Sequence, residues 1–278
     1  MEKVKTLYIS DLDGTLLNQS AKLTERTKTS LNSMIENGLN FSVATARLLG
    51  PVSEMLLDVK MNIPIILMNG VLIYDIKERC YVKVNKLQPK IISAVIQTMK
   101  EFDITGFMYE LSNGTLKTYH DVSKRKKIDE YLENRIRRYK SILPKNGLSS
   151  ISGDSTIYFT MIDTHEQLQP VYETLLRVPG INQTFYKNIY NPDSWFLEIL
   201  SADSSKKNAV DSLREIYGFK QVVGFGDNHN DLPMFEACDI KVAVENAAAE
   251  VKDAADFICE SNNNDGVVKW LENALKQI

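Results

Sequence analysis

Short apolar runs alternate with amphipathic helical segments at both ends of this 278-residue chain, and the middle follows a different pattern. VKTLYIS reads as a buried strand. LTERTKTSLNSMIENG reads as a helix opening near Thr24, with Leu31, Met34 and Ile35 facing inward and Gly38 just past its end. LNFSVA predicts a second strand, Leu48 to Val59 a second helix, and PIILM a third strand. The last quarter resumes this rhythm with a helix from about Ser204 to Tyr217, the strand QVVGF, a helix after Asp231, the strand IKVAV and closing helical segments. Strands apolar on both faces and separated by helices belong to parallel sheets covered by helices.

Between about Lys86 and Leu200 the pattern is that of a half-exposed antiparallel sheet. Strand candidates are TGFMYEL, GTLKTYH, STIYFTMI, INQTFYK and WFLEIL, with helices near IISAVIQTMKEF and SKRKKIDEYLENRIRRYK. The expected architecture is α/β: a doubly wound, mostly parallel Rossmann-like core sheet from residues 1–85 and 201–278, with an α+β domain inserted at 86–200. The basic segment reads as a solvated helix face, with attraction of an anionic substrate as the alternative. Tyr109, Tyr119, Tyr158, Phe159 and Trp195 read mainly as core of the inserted sheet.

Composition narrows the function. A formal net charge of -3 does not suit a nucleic-acid binder. Runs such as IPIILM fall well short of the roughly 20 residues of a membrane span. Cys80, Cys238 and Cys259 are widely spaced and form no CxxC pair, as expected of a reduced, cytoplasmic protein. Neither a nucleic-acid nor a membrane partner is expected, and the oligomeric state is left open.

Ligands of open parallel sheets bind beyond the carboxyl ends of the strands. The polar residues in those places are Asp11 and Asp13 after the first strand, Thr45 and Arg47 after the second, Asn69 after the third, and Asp227, Asn230 and Asp231 after QVVGF. Two carboxylates one residue apart repel unless water screens them or a cation lies between them. Alone, D-x-D is more often a solvated turn. GDNHNDLPMF is no calcium loop, since Leu232 and Cys238 stand where Gly and Glu would be needed. GFGDNH is not GxGxxG, and no Walker A motif is present.

Taken in order, DLDGTLL, SVATAR, SSKKNAVDSL and GDNHNDLPMF resemble the four motifs of the haloacid dehalogenase-like (HAD) phosphatases. LMNG and WFLEIL resemble the Cof-type subgroup, which carries a large α/β cap. The resemblance covers the core at both ends; the insert matches in size and texture.

It implies a Mg²⁺-dependent phosphatase of small phosphorylated metabolites, foremost sugar phosphates, working through an aspartyl-phosphate. Asp11 would be the nucleophile and Asp13 the general acid and base. Lys206 would stabilise charge, while Asp11, the Asp13 carbonyl and Asp227 would hold the metal. Leu12, Thr45, Ala46, Asn69 and Asn230 would face phosphate or substrate, Asp231 would support the metal site from behind, and His229 would have no role.

Two positions depart from the family pattern. Ala46 and Lys207 stand where Gly is usual, and Lys207 makes a second candidate for the catalytic lysine. A phosphomutase and a non-catalytic phosphate-ligand sensor are the alternative functions.

Overall fold

In the computed structural model, β1 (Thr6–Ser10) is the strand within VKTLYIS, with Leu7 and Ile9 fully buried. Residues 4–124, 130–151, 153–188, 191 and 193–276 are described. Helix α1 (Glu25–Glu36) starts where Thr24 caps it by accepting from the Thr27 N–H, and it buries Leu31 and Ile35, with Met34 half-buried. It is followed by β2 (Asn40–Val43) and α2 (Leu49–Met55), which stops short of the expected Val59.

PIILM does form a strand, β3 (Ile65–Leu67), but not one of the five-stranded parallel sheet. It pairs antiparallel with β4 (Leu72–Asp75), which joins β5 (Cys80–Val84) in a three-stranded sheet. Its link to β2 is a single parallel bridge, Ala44 to Ile66. The cause lies in the next three residues. Met68, Asn69 and Gly70 have φ of 51°, 53° and 96°, a left-handed turn that sends the chain back along β3 as a hairpin.

The chain divides into two compact units, Met1–Lys83 with Ser205–Ile278, and Val84–Ser204. The inserted unit thus begins at the last residue of β5. It runs α3 (Pro89–Glu101), β6 (Gly106–Ser112), β7 (Thr115–Asp121), α4 (Glu130–Arg138), β8 (Thr156–Asp163), α5 (His165–Leu175), β9 (Ile181–Lys187) and β10 (Trp195–Ser201). Its sheet is antiparallel, in the order β7-β6-β8-β10-β9.

Ile91, Val95 and Met99 of α3 and Leu168, Val171 and Leu175 of α5 share one core with Met108, Phe159, Met161, Leu197 and Ile199 of the strands. Arg135 of α4 departs from the expected solvated face. Its guanidinium lies over the rings of Phe107, Tyr139 and Phe196, while Arg137 and Arg138 stay exposed. The basic residues Arg125 to Lys127 lie outside the described residues.

Back in the first unit come α6 (Lys206–Tyr217), β11 (Gln221–Gly226), α7 (Leu232–Glu236), β12 (Ile240–Val244), α8 (Ala249–Asp253), β13 (Phe257–Cys259) and α9 (Gly266–Leu275). The closing segments were expected to be helical only, so β13 is an addition. The parallel sheet has the order β13-β12-β11-β1-β2. β1 pairs with β11 from Thr6↔Gln221 to Ser10↔Phe225, and with β2 from Leu7↔Asn40 to Ser10↔Val43. The strand order therefore reverses between β1 and β11, the topological switch point where ligands of such sheets bind. No helix among the described residues is long and apolar enough to cross a membrane.

Candidate active site

Two loops meet at this switch point. The first leaves β1 at Asp11, whose N–H donates to the Phe225 carbonyl at 2.9 Å, and curls around the Leu12 carbonyl, which accepts from Thr15, Leu16 and Leu17. The Leu12 side chain is fully buried, so only its backbone is available to a ligand. The second loop leaves β11 at Asp227. Gly14 separates them by little: a Cβ at this position would lie 2.4 Å from Asp227 Oδ2, and its φ of +80° also favours glycine. Thr15 Oγ1 donates to Asp227 Oδ1 at 2.8 Å, and Asn246 Nδ2 to the Gly14 carbonyl at 2.7 Å.

Lys206 is the first residue of α6, placed there because Ser205 caps the helix and accepts from the Asn208 N–H. Its Nζ donates at 2.6 Å to both Asp11 Oδ1 and Asp231 Oδ1. Lys206, Asp11 and Asp231 are 1%, 5% and 0% exposed. Lys207 instead pairs with Asp211 at the surface, so burial distinguishes the two lysines. The other oxygen of Asp231 accepts from the Asp227 and Asn228 N–H groups, closing a capping box with Asn228. Asp231 thus holds both the lysine and the second loop.

One ammonium between two buried carboxylates leaves this group short of positive charge. Burial pushes the Asp11 carboxyl well above its ordinary range; Lys206 opposes this, and Asp231 and Asp227 add to it. Asp227 is pushed up to about 6, chiefly by burial, against the hydrogen bond from Thr15. Burial alone would lower the Lys206 ammonium, but Asp11 and Asp231 outweigh it and keep its pKa above the ordinary value. Carboxylate oxygens of Asp11, Asp227 and Asp231 lie within 4.8 Å of one another, a hard, oxygen-only donor set of the kind that Mg²⁺ takes.

The other expected residues lie on adjoining loops. Thr45 is 1% exposed; its N–H donates to the Ile66 carbonyl and its own carbonyl accepts from the Asn69 N–H. Asn69 belongs to the left-handed turn, and its Oδ1 is buried with no hydrogen-bond donor among the described residues. Gly70 packs so tightly on the Ser205 backbone that a Cβ would lie 2.1 Å from the Ser205 carbonyl oxygen. A continuous path of backbone contacts thus runs from Thr45 through Asn69 and Gly70 to the helix start that carries Lys206. Ala46 and Asn230 are exposed beside Thr45 and Asp231. His229 is exposed and lies 3.5 Å from Glu250.

Asp13 stands apart from the buried cluster: its carboxylate is paired with Arg47. Thr15 and Asn246 are contributors not singled out from the sequence, and Arg47 is one that the sequence placed at a strand end without a role. Thr15 and Arg47 lie inside the quoted motifs, and that position was the available signal. Asn246 lies in VENAAAE, outside those motifs, where nothing in the sequence links it to the Gly14 carbonyl.

The profile of the haloacid dehalogenase-like hydrolases matches residues 8–271. YwtE of Bacillus subtilis (strain 168), a 5-amino-6-(5-phospho-D-ribitylamino)uracil phosphatase, is 26% identical over 95% of this chain and 96% of its own length. A phosphoglycolate phosphatase of Sulfurisphaera tokodaii is 29% identical over 73% of this chain and 87% of its own length. The crystal structure of TM0651 from Thermotoga maritima superposes with a TM-score of 0.77 at 28% identity, covering 96% of both chains. The subclass IIB sugar phosphatase BT4131 shares the fold with a TM-score of 0.73 at 21% identity, over 97% of this chain and 98% of its own.

The chain belongs to the haloacid dehalogenase-like hydrolases, in the Cof-type group with an inserted α/β cap. It is a phosphatase, a hydrolase of small phosphoric monoesters.

Proposed function

We propose that this phosphatase is Mg²⁺-dependent, acts on sugar phosphates and related polyol phosphates, and uses Asp11 as its nucleophile. The observation that carries this is the Lys206 ammonium held at 2.6 Å from a desolvated Asp11 carboxylate. Without it the carboxylate would meet the phosphoryl group as one anion meeting another. Phosphate-monoester hydrolysis is among the slowest uncatalysed reactions, with enzymatic accelerations up to about 10²¹-fold. Dividing the displacement into two steps, with charge stabilised in both, is how a carboxylate nucleophile contributes to such rates.

In the first step an Asp11 oxygen bonds to phosphorus, the ester P–O bond breaks, and a proton passes from the Asp13 carboxyl to the leaving oxygen, releasing the alcohol. In the second, a water oxygen bonds to phosphorus and gives its proton to Asp13, and the Asp11–phosphorus bond breaks to release phosphate. Lys206 neutralises charge on Asp11 and the phosphoryl oxygens in both steps, and Asp231 holds Lys206 in place. Thr45, with the Leu12 and Ala46 backbone N–H groups, faces the phosphate.

The Asp11 and Asp227 carboxylates, with the Asp13 carbonyl, would hold Mg²⁺, and Asp231 supports them from behind through the Asp227 N–H. The cation supplies positive charge against the phosphoryl oxygens. The shortage of positive charge at the cluster and the oxygen-only donors fit it.

Sugar phosphates lead because the ester named for the relative YwtE carries its phosphate on a ribityl chain. Phosphorylated cofactors are the next class to test. Asn230, exposed beside Asp231, faces substrate, and the inserted unit supplies the remaining selectivity.

The test is phosphate release from a panel of sugar phosphates and phosphorylated cofactors, with and without Mg²⁺, by wild type and Asp11→Asn. Release that requires both the metal and Asp11 is expected. Equal release by Asp11→Asn would remove Asp11 as nucleophile, and an isomerised ester in place of free phosphate would make the protein a mutase.

A further inference from the structure

Asp13 is the one acid of the site whose side chain lies outside the buried cluster, with half of its side-chain surface exposed. Both of its oxygens are taken by a single guanidinium. Arg47 Nε donates to Asp13 Oδ2 at 2.6 Å, and Arg47 Nη2 to Asp13 Oδ1 at 2.6 Å. The backbone of Arg47 is itself fixed: its N–H donates to Thr45 Oγ1 at 3.2 Å, and its carbonyl accepts from the Met68 N–H at 3.2 Å.

A surface ion pair typically adds about 0–1 kcal/mol to a fold, so stability is a weak reason for this one. Direction is what a two-pronged pair supplies. On either side of Asp13 the loop is already pinned, at Asp11 by Phe225 and at Gly14 by Asn246. The side-chain torsions are the freedom left to the acid, and a guanidinium gripping both oxygens restrains them.

We propose that Arg47 is a positioning residue for Asp13. It holds the carboxylate in one orientation, so proton exchange with the leaving oxygen depends on Arg47 while attack by Asp11 does not. The inference rests on the phosphatase mechanism proposed above. A lysine at this position keeps the charge but not the fork.

The experiment compares two esters with Mg²⁺ present: an alkyl phosphate taken from those the wild type hydrolyses, and p-nitrophenyl phosphate, whose phenolate leaves without a proton. General acid catalysis typically contributes about 10²–10⁴-fold, so Arg47→Ala should lower kcat on the alkyl ester by about 10²-fold. KM on that ester and the single-turnover rate of p-nitrophenolate release, which reports attack by Asp11 before Asp13 is needed as a base, should each stay within about threefold. Arg47→Lys should recover part of the alkyl-ester rate. In an Asp13→Asn background, Arg47→Ala should change the alkyl-ester rate no further, because the two residues act as a unit.

An equal loss in single-turnover p-nitrophenolate release, an additive loss in the Asp13→Asn background, or no loss at all would overturn the proposal while leaving the phosphatase mechanism intact. A well-folded wild type that releases phosphate from neither ester would overturn that mechanism, and this inference with it.

Discussion

At the scale of single residues, Lys206 Nζ sits between two carboxylates that are buried with it. Removing one member of such a buried group strands the others, at a cost of about 3–5 kcal/mol, so the trio is a structural commitment as well as a chemical one. Its shortage of positive charge has a consequence that can be measured. In the metal-free protein Asp227 is pushed up to about 6 from an ordinary 3.8. A carboxyl raised on folding contributes stability that is fully present below the ordinary value and is lost as pH rises through the folded one.

Over this window, then, Asp227 makes the metal-free protein less stable as pH increases, and the raised Asp11 acts in the same direction. A cation binds the ionised form and restores what is lost. Mg²⁺ should raise Tm more at pH about 7.5 than at about 5, as read by scanning calorimetry. An equal or larger shift at the lower pH would contradict this. The charged core of the site was largely legible, because Asp11, Asp13, Lys206, Asp227 and Asp231 all fall within short motifs. What joins them was not: the Arg47 fork, the Thr15 hydroxyl and the Asn246 amide are contacts between loops, and residue type alone does not specify a partner far away in sequence.

Among elements, the left-handed turn at Met68–Gly70 organises the most. It reverses β3 into a hairpin and places Gly70 against the capped start of α6. Gly70→Ala would combine a φ of +96° with a methyl group 2.1 Å from a backbone oxygen. The expected cost is about 2 kcal/mol or more, measured by urea unfolding, with loss of phosphatase activity because the helix start carrying Lys206 must move. Gly50, which has open space around its Cβ position, is the control, and Gly50→Ala should change stability by less than about 0.5 kcal/mol. A tolerated Gly70→Ala would mean that the turn is not a support.

Elements with strong periodicity were readable in advance: β1, β2, β11 and β12 as continuous apolar runs, α1 and α6 from their caps. β4 and β5 were missed because LIYD and CYVKV are short and partly exposed, and β13 because three residues carry no period. Pro170 hid α5, although Thr164, which accepts from the Gln167 N–H, marks its start. PIILM read correctly as a strand. Its departure from the parallel sheet followed from a backbone turn at residues that do not advertise it, since Met68 is no usual occupant of left-handed φ.

At the scale of the whole molecule, the inserted unit enters and leaves at neighbouring points: Asn85 Nδ2 donates to the Asp203 carbonyl at 3.3 Å. With its own core between α3, α5 and its sheet, residues 84–204 should fold when expressed alone, showing cooperative urea unfolding and a near-ultraviolet dichroism signal. A non-cooperative or unfolded fragment would show that the insert depends on its host.

The parallel sheet has the opposite character, since β1 must find β11 across the whole insert, and contacts so distant in sequence form slowly. On the ribosome this sets an order of events. β1 and β2 emerge first, and β1 waits with one edge unpaired, open to a neighbouring nascent chain, until Gln221–Gly226 have been translated. Asp11 emerges long before Lys206, Asp227 and Asp231, so every unfinished copy carries the carboxylate proposed as nucleophile without the side chains that surround it in the folded protein. On the proposed mechanism, translation would act as a safety catch, released only when the last quarter of the chain is made.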